Sequence, residues 1–155
     1  MTVRTGDKAP EFDLEVTRGE RVRLSDFCGR SNVLLVFHPF AFTPVCEEEA
    51  LDLQENIGSF RDAQTEIVLV SCDPSPSRQA WRKHLGAEYT FASDFWPHSK
   101  ASKAFGVFNE ETGAPHRGTF LLDREGTVIW SLVNVKDEQR TEMVPDSLET
   151  LEARA

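Results

Sequence analysis

Apolar residues fall into short runs and spaced sets that divide the 155-residue chain into alternating strands and helices. Residues 11–16 (EFDLEV) alternate apolar and polar positions, the period of a strand with one buried face. Residues 21–26 (RVRLSD) read as a second strand, ahead of a turn at Cys28-Gly29-Arg30. Residues 32–40 (NVLLVFHPF) form a nearly continuous apolar run, as expected of a strand buried on both faces. A helix follows: Thr43 is placed as its N-cap, Pro44 suits its first position, and Ala50, Leu53, Ile57 and Phe60 recur at helical spacing. Residues 66–73 (EIVLVSCD) predict another buried strand. Ser75-Pro76 opens a second helix that carries Trp81 and Leu85 and ends at Gly86. Residues 89–94 predict a short strand and residues 99–105 a short helix closed by Gly106. Residues 118–123 and 127–135, joined by the turn Arg124-Glu125-Gly126, predict a hairpin. Residues 146–155 predict a terminal helix.

Two strand–helix–strand passages, then a hairpin and a helix, imply an α/β fold with a central mixed sheet flanked by helices. No repeat, linker or low-complexity tract divides the chain, so residues 1–155 are expected to form a single domain. Chemistry in such sheets sits beyond the carboxyl ends of the strands. Residues 37–46 lie at such a point: buried strand, short loop, helix start.

Charge and cysteine content narrow the function. The net charge of −9 argues against a sequence-independent hold on nucleic acid, and no basic cluster offsets it. No apolar run has the length of a membrane span or the character of a secretory signal. Three cysteines, Cys28, Cys46 and Cys72, do not make a disulfide framework. A cytoplasmic, reducing setting is expected, where a reactive thiol is catalytic or sensing.

The candidate chemistry is in residues 38–49, HPFAFTPVCEEE. Thr43-Pro44-Val45-Cys46 looks like a C-x-x-C motif with its first cysteine replaced by threonine. Cys46 falls at the third helical position, where free amides and the helix dipole favour a thiolate. The Thr43 hydroxyl is placed to donate to the sulfur or to a bound oxygen. Glu47, Glu48 and Glu49 work against the thiolate. The site therefore calls for a cation from elsewhere, preferably an arginine. Arg117, in PHRGTFLLD before an expected central strand, is the candidate. Taken singly, Cys46 reads as a small buried hydrophobe and Arg117 as a surface arginine. Together with the cap and the Pro-flanked loop they point to chemistry. His38, His84, His98 and His116 lack ligand spacing, and no Gly-rich phosphate loop is present, so neither a metal nor another cofactor is expected.

The stretch HPFAFTPVC resembles the P-x-x-x-T-x-x-C signature of peroxiredoxins, with Pro39, Thr43 and Cys46 in register. Arg117 falls where that family places its second-motif arginine. The similarity extends through GDKAPEFDL, residues 93–123 and the trailing hairpin, and the middle stretch is similar to the actinobacterial one-cysteine group, alkyl hydroperoxide reductase E. The resemblance implies a thioredoxin-like fold and a thiol-dependent peroxidase reducing hydrogen peroxide and organic hydroperoxides. It makes Cys46 the peroxidatic cysteine. Thr43, Arg117 and the backbone N–H groups of Val45 and Cys46 would hold the peroxide. Pro39 would shape and shield the loop, and Glu49 would hydrogen-bond the arginine.

The usual resolving position five residues after the peroxidatic cysteine is Leu51 here, and no cysteine follows Cys72. This favours a one-cysteine cycle completed by an external thiol, for which the resemblance implies mycothiol or a mycoredoxin- or thioredoxin-type protein. It also implies a homodimer or higher assembly, for which Phe42, Trp81, Trp96 and Phe108 are expected to supply an exposed apolar edge. Two alternatives stay open: a non-catalytic thiol redox sensor, and a thioredoxin-like disulfide oxidoreductase, which needs a second cysteine that is missing near Cys46.

Overall fold

Side chains on the central strand alternate between two cores. In the computed structural model, which describes residues 2–134 and 138–154, β3 (Asn32–Phe37) sends Val33, Leu35 and Phe37 to one face and Leu34 and Val36 to the other. It is bracketed by β4 (Thr65–Ser71), parallel to it, and β8 (Arg117–Leu122), antiparallel to it. Among the described residues seven strands make one sheet, in the order β2-β1-β5-β4-β3-β8-β9. Here β1 is Asp13–Thr17, β2 Glu20–Arg23, β5 Thr90–Ser93 and β9 Val128–Asn134. The sheet is mixed, with β3, β4 and β5 parallel and the others antiparallel to their neighbours.

One face is covered by α1 (Pro44–Glu55), α2 (Ile57–Asp62), α3 (Ser75–Leu85) and α5 (Met143–Ala153), through Leu53, Phe60, Trp81 and Leu151. The other face is covered by α4 (Lys100–Ala104) with Phe105 and by the Phe12–Leu24 region. This is the mixed sheet flanked by helices that the apolar pattern predicts.

Several boundaries differ. The apolar set 50–60 does not form one helix: the chain breaks at Asn56, whose side chain bonds back to the Asp52 carbonyl at 2.8 Å. That local bond competes with helix continuation. The expected strand 21–26 stops at Arg23, and Leu24–Asp26 make a 3₁₀ turn in which the Asp26 carboxylate accepts from the Arg23 N–H (2.9 Å). A two-residue pair, β6 (Phe108–Asn109) with β7 (Ala114–Pro115), has no apolar pattern to announce it. The hairpin reaches Asn134; the predicted last residue, Val135, lies outside the described residues. The terminal helix starts at Met143, three residues before the predicted start.

Candidate active site

Strand register delivers Arg117 to the helix start. Phe37 pairs with Gly118, so Arg117 lies beside the carboxyl end of β3, where the 38–43 loop begins. Gly118 allows this approach. A Cβ there would meet Val107 Cγ1 at 2.7 Å, inside any normal contact. Alternation along β8 then puts Arg117 and Thr119 on the same face, toward α1.

Helix α1 supplies the other half. Thr43 occupies the N-cap position with extended backbone and Pro44 is the first helical residue, as the sequence predicts. Its hydroxyl, however, accepts no capping bond; it donates to the Phe40 carbonyl at 2.9 Å. The first intrahelical bond runs from the Glu47 N–H to the Thr43 carbonyl at 2.9 Å. The Val45 and Cys46 N–H groups precede it and have no partner inside the helix. Phe42, just before the cap, sits at φ 63°, a left-handed conformation uncommon outside glycine and concentrated at functional sites. The loop is anchored where the Ala41 N–H donates to the Asp73 carboxylate (2.8 Å), which also accepts from the Ser71 hydroxyl.

Cys46 and Glu49 stand one turn apart on the buried face of α1, both at most 2% exposed. Arg117 Nη1 donates to Cys46 Sγ at 3.2 Å and to Glu49 Oε1 at 2.6 Å. A second buried arginine completes the cluster. Arg140, between β9 and α5, donates through its backbone N–H (2.7 Å) and Nε (2.8 Å) to Glu49 Oε2. It also donates through Nη2 to Oε1 (3.0 Å) and through Nη1 to the Thr119 hydroxyl (2.8 Å). Burial alone would raise Glu49; the Arg140 hydrogen bonds and charge, joined by Arg117, outweigh it and hold the carboxyl below its ordinary range. Glu49 is thus an ionised bridge between two guanidinium groups. It does not oppose a thiolate at full strength, as the sequence suggested. Glu48 points to solvent, and Glu47 lies 3.8 Å from exposed His84.

The structure therefore brings together Cys46, Arg117 and Glu49, with the Val45 amide and Thr43 on the same first turn and half-buried Pro39 in the loop behind them. Sequence reasoning missed Arg140, which sits in a polar segment (DEQRTE) with nothing to mark it as buried. It missed Arg78 too, which is fully buried on α3. One signal for Arg78 was available: it lies three residues before Trp81, on the same helical face.

The other cysteines stay apart from this cluster. Cys28 is exposed in its turn, and Cys72 is half-buried with its sulfur 3.0 Å from the Ser99 hydroxyl. Burial pushes the Cys72 thiol up, only partly offset by hydrogen bonds from Ser99 and Ser102. All three are free thiols.

A cysteine at a helix start, touched by an arginine from the neighbouring strand, is geometry that known proteins share. Residues 5–131 match the AhpC/TSA family. The chain belongs to that family. It is a peroxiredoxin, an oxidoreductase of the thiol-dependent peroxidase class. Among curated relatives, alkyl hydroperoxide reductase E of Mycobacterium tuberculosis is 36% identical over 152 residues, spanning 97% of this chain and 99% of the relative. Peroxiredoxin Bcp of Bacillus subtilis is 33% identical, covering 97% and 96%. Among solved structures, peroxidoxin BcpB of Mycobacterium tuberculosis superposes with a TM-score of 0.89 at 26% identity, covering 99% of each chain. The reduced 2-Cys peroxiredoxin of Plasmodium vivax gives 0.83 at 27% identity, covering 97% of each. The peroxiredoxin fold is thioredoxin-like, which the sheet order and the helices on both faces bear out.

Proposed function

We propose that this peroxiredoxin, acting as one domain over residues 1–155, reduces hydrogen peroxide and organic hydroperoxides through Cys46 in a one-cysteine cycle. The observation that carries the reading is the 3.2 Å contact from Arg117 Nη1 to Cys46 Sγ at the start of α1. The thiolate attacks the terminal peroxide oxygen. A sulfur–oxygen bond forms as the O–O bond breaks, leaving Cys46 as a sulfenic acid. The departing alkoxide or hydroxide takes a proton and leaves as alcohol or water. Charge develops on that leaving oxygen, and Arg117, the Thr43 hydroxyl and the Val45 and Cys46 N–H groups are preorganised donors for it. The Thr43 hydroxyl must rotate away from the Phe40 carbonyl to serve. Pro39 shapes the loop, and Glu49 positions Arg117.

Two equivalents of an external thiol then return the sulfenic acid to the thiol, yielding a disulfide and water. Mycothiol, or a mycoredoxin- or thioredoxin-type protein, is the proposed reductant. The raised Cys72 thiol, engaged by Ser99, and the exposed position of Cys28 support a cycle that uses neither as a resolving cysteine. The proposed setting is the cytoplasm; among the described residues no helix is long and apolar enough to cross a membrane. Intact-mass analysis after one equivalent of peroxide should show one added oxygen at Cys46 and none in Cys46→Ser. Steady turnover with a small thiol separates an enzyme from a one-shot sensor; a single oxidation without turnover would replace the enzyme reading.

A further inference from the structure

Three arginines are buried on the Cys46 side of the sheet, and they are not equivalent. Arg117 and Arg140 share the Glu49 carboxylate. Arg78, fully buried, pairs with no carboxylate among the described residues. Its Nε donates to the Ala92 carbonyl (3.0 Å), its Nη2 to the Leu69 carbonyl (2.7 Å), and its Nη1 lies 2.6 Å from His38 Nε2. A buried guanidinium with only neutral partners is unfavourable unless some anion answers its charge.

His38 cannot supply that anion, and its state follows from its neighbours. Burial first, then the charges of Arg78, Arg140 and Arg117, hold it far below the ordinary histidine range, so the imidazole is neutral. Arginine has no acceptor, so Nε2 must accept from Nη1 and the ring hydrogen is on Nδ1. The His38 ring packs 5.2 Å from Trp81, and Trp81 lies 6.2 Å from Phe42, beside the Thr43 cap. The guanidinium lies over Trp81 as well, 5.6 Å from the ring centroid. Arg78 thereby ties α3 to the loop that precedes the active-site helix.

The negative groups whose fields reach Arg78 are Asp73, Tyr89, Cys46 and Cys72. Asp73 is partly exposed and occupied by Ala41 and Ser71. Burial pushes both Tyr89 and Cys72 up, keeping them neutral. Cys46 is the remaining buried group able to carry the charge. Burial pulls Arg78 down, to about 10, which leaves it protonated at neutral pH.

We propose that Arg78 is a positioning residue of the peroxidatic site, a guanidinium fixed by neutral His38 and two strand carbonyls so that its unmatched charge favours the Cys46 thiolate. This rests on Cys46 being the reacting cysteine. A structural bracket would need the three hydrogen bonds alone; the proposal needs the charge.

The test compares full-length Arg78→Met and Arg78→Lys with wild type. Thiolate absorbance at 240 nm is followed against pH, with Cys46→Ser subtracted, together with the second-order rate of hydrogen peroxide consumption. In Arg78→Met the thiolate should appear roughly one pH unit later, a change of about tenfold in thiolate population and rate below that range. The rate should recover when the pH is raised. Arg78→Lys, which keeps the charge, should retain most of the wild-type behaviour. A folded Arg78→Met whose thiolate appears at the wild-type pH, or an Arg78→Lys as impaired as Arg78→Met, would overturn the proposal. Should both variants fail to fold, ¹⁵N spectra of the wild type decide. The His38 ring and Arg78 side-chain signals should move as Cys46 ionises and stay still in Cys46→Ser; still signals in the wild type overturn the proposal. A wild type with no Cys46 thiolate signal would instead remove Cys46 as the reacting group.

Discussion

Arg117 touches both the sulfur and the carboxylate that orients it, so its loss removes a donor and unbalances the cluster. Arg117→Ala should lower the peroxide rate by about 10²–10³-fold, the effect of deleting one preorganised donor. Arg117→Lys should recover only part of it, since one ammonium cannot reach Cys46 and Glu49 in the same fork. Stopped-flow kinetics on the reduced variants measures both; an Arg117→Ala variant at the wild-type rate would take Arg117 out of the chemistry. Glu49→Ala leaves two buried guanidinium groups without their anion and should cost about 3–5 kcal/mol of stability, read from urea unfolding. His38 sets a pH dependence. Its folded-state value is far below its ordinary 6.5, so below that pH the unfolded chain binds a proton that the folded chain refuses. Its share of the stability is complete above about pH 6.5 and falls as the pH drops below it. Glu49, lowered from an ordinary 4.5, adds a second loss at more acid pH. Unfolding midpoints measured across the acid range should show both losses in wild type, and His38→Phe should remove only the first.

At the scale of elements, the site depends on how closely β8 can approach the β6 segment. Gly118 is the point of contact: a methyl there would lie 2.7 Å from Val107 Cγ1 and 3.3 Å from the Phe120 ring. Gly118→Ala should destabilise the fold by about 1–3 kcal/mol, as overpacking does, and should displace the adjacent Arg117. A thermal scan reads the first effect and the peroxide rate the second; a variant with wild-type values in both would show that β6 yields freely. The first turn of α1 matters for the other half-reaction. Cys46 is 2% exposed, enough for a small peroxide to reach through local motion but not for a thiol-bearing partner. Reduction therefore requires that turn to open, and the left-handed Phe42 at its edge is a natural pivot.

Across the whole molecule, exposed apolar groups gather at the carboxyl ends of the parallel strands. Phe40, Phe42, Phe95 and Trp96 are 44–65% exposed, in the loops after β3 and β5. The sequence expectation for this edge needs two corrections. Trp81 is completely buried, because it packs against Phe91 and the Arg78 guanidinium, and Phe108 is half-buried beneath Lys103. Such a patch is expected to be covered by a second copy of the chain. Sedimentation at micromolar concentration should give a dimer or larger species, and Phe42→Lys with Trp96→Lys should shift it toward monomer; a clean wild-type monomer would refute the assembly. Oxidised protein should hold a sulfenic acid and no Cys46–Cys72 disulfide, which non-reducing peptide mapping checks.

Local chemistry determined what the sequence could show. Buried strands announce themselves as apolar runs, a helix start by Thr43-Pro44, and the reacting group by a cysteine three residues after its cap. Each signal lies within a few residues of what it specifies, so β3, β4, α1, α3 and the P-x-x-x-T-x-x-C pattern were all legible. Arg117 was legible because an arginine before an apolar strand is out of place. Tertiary structure decided everything that depends on register and burial. Arg140 is 91 residues from the Glu49 it binds, and its own neighbours are polar. Arg78 shares a helix with ordinary surface cations, and its burial follows from where α3 crosses the sheet. The Asn56 break and the rotated Thr43 hydroxyl turn on single hydrogen bonds. The Glu49 charge, read as a liability in sequence, is an asset once two guanidinium groups enclose it, because the sign of an electrostatic effect is set by neighbours in space.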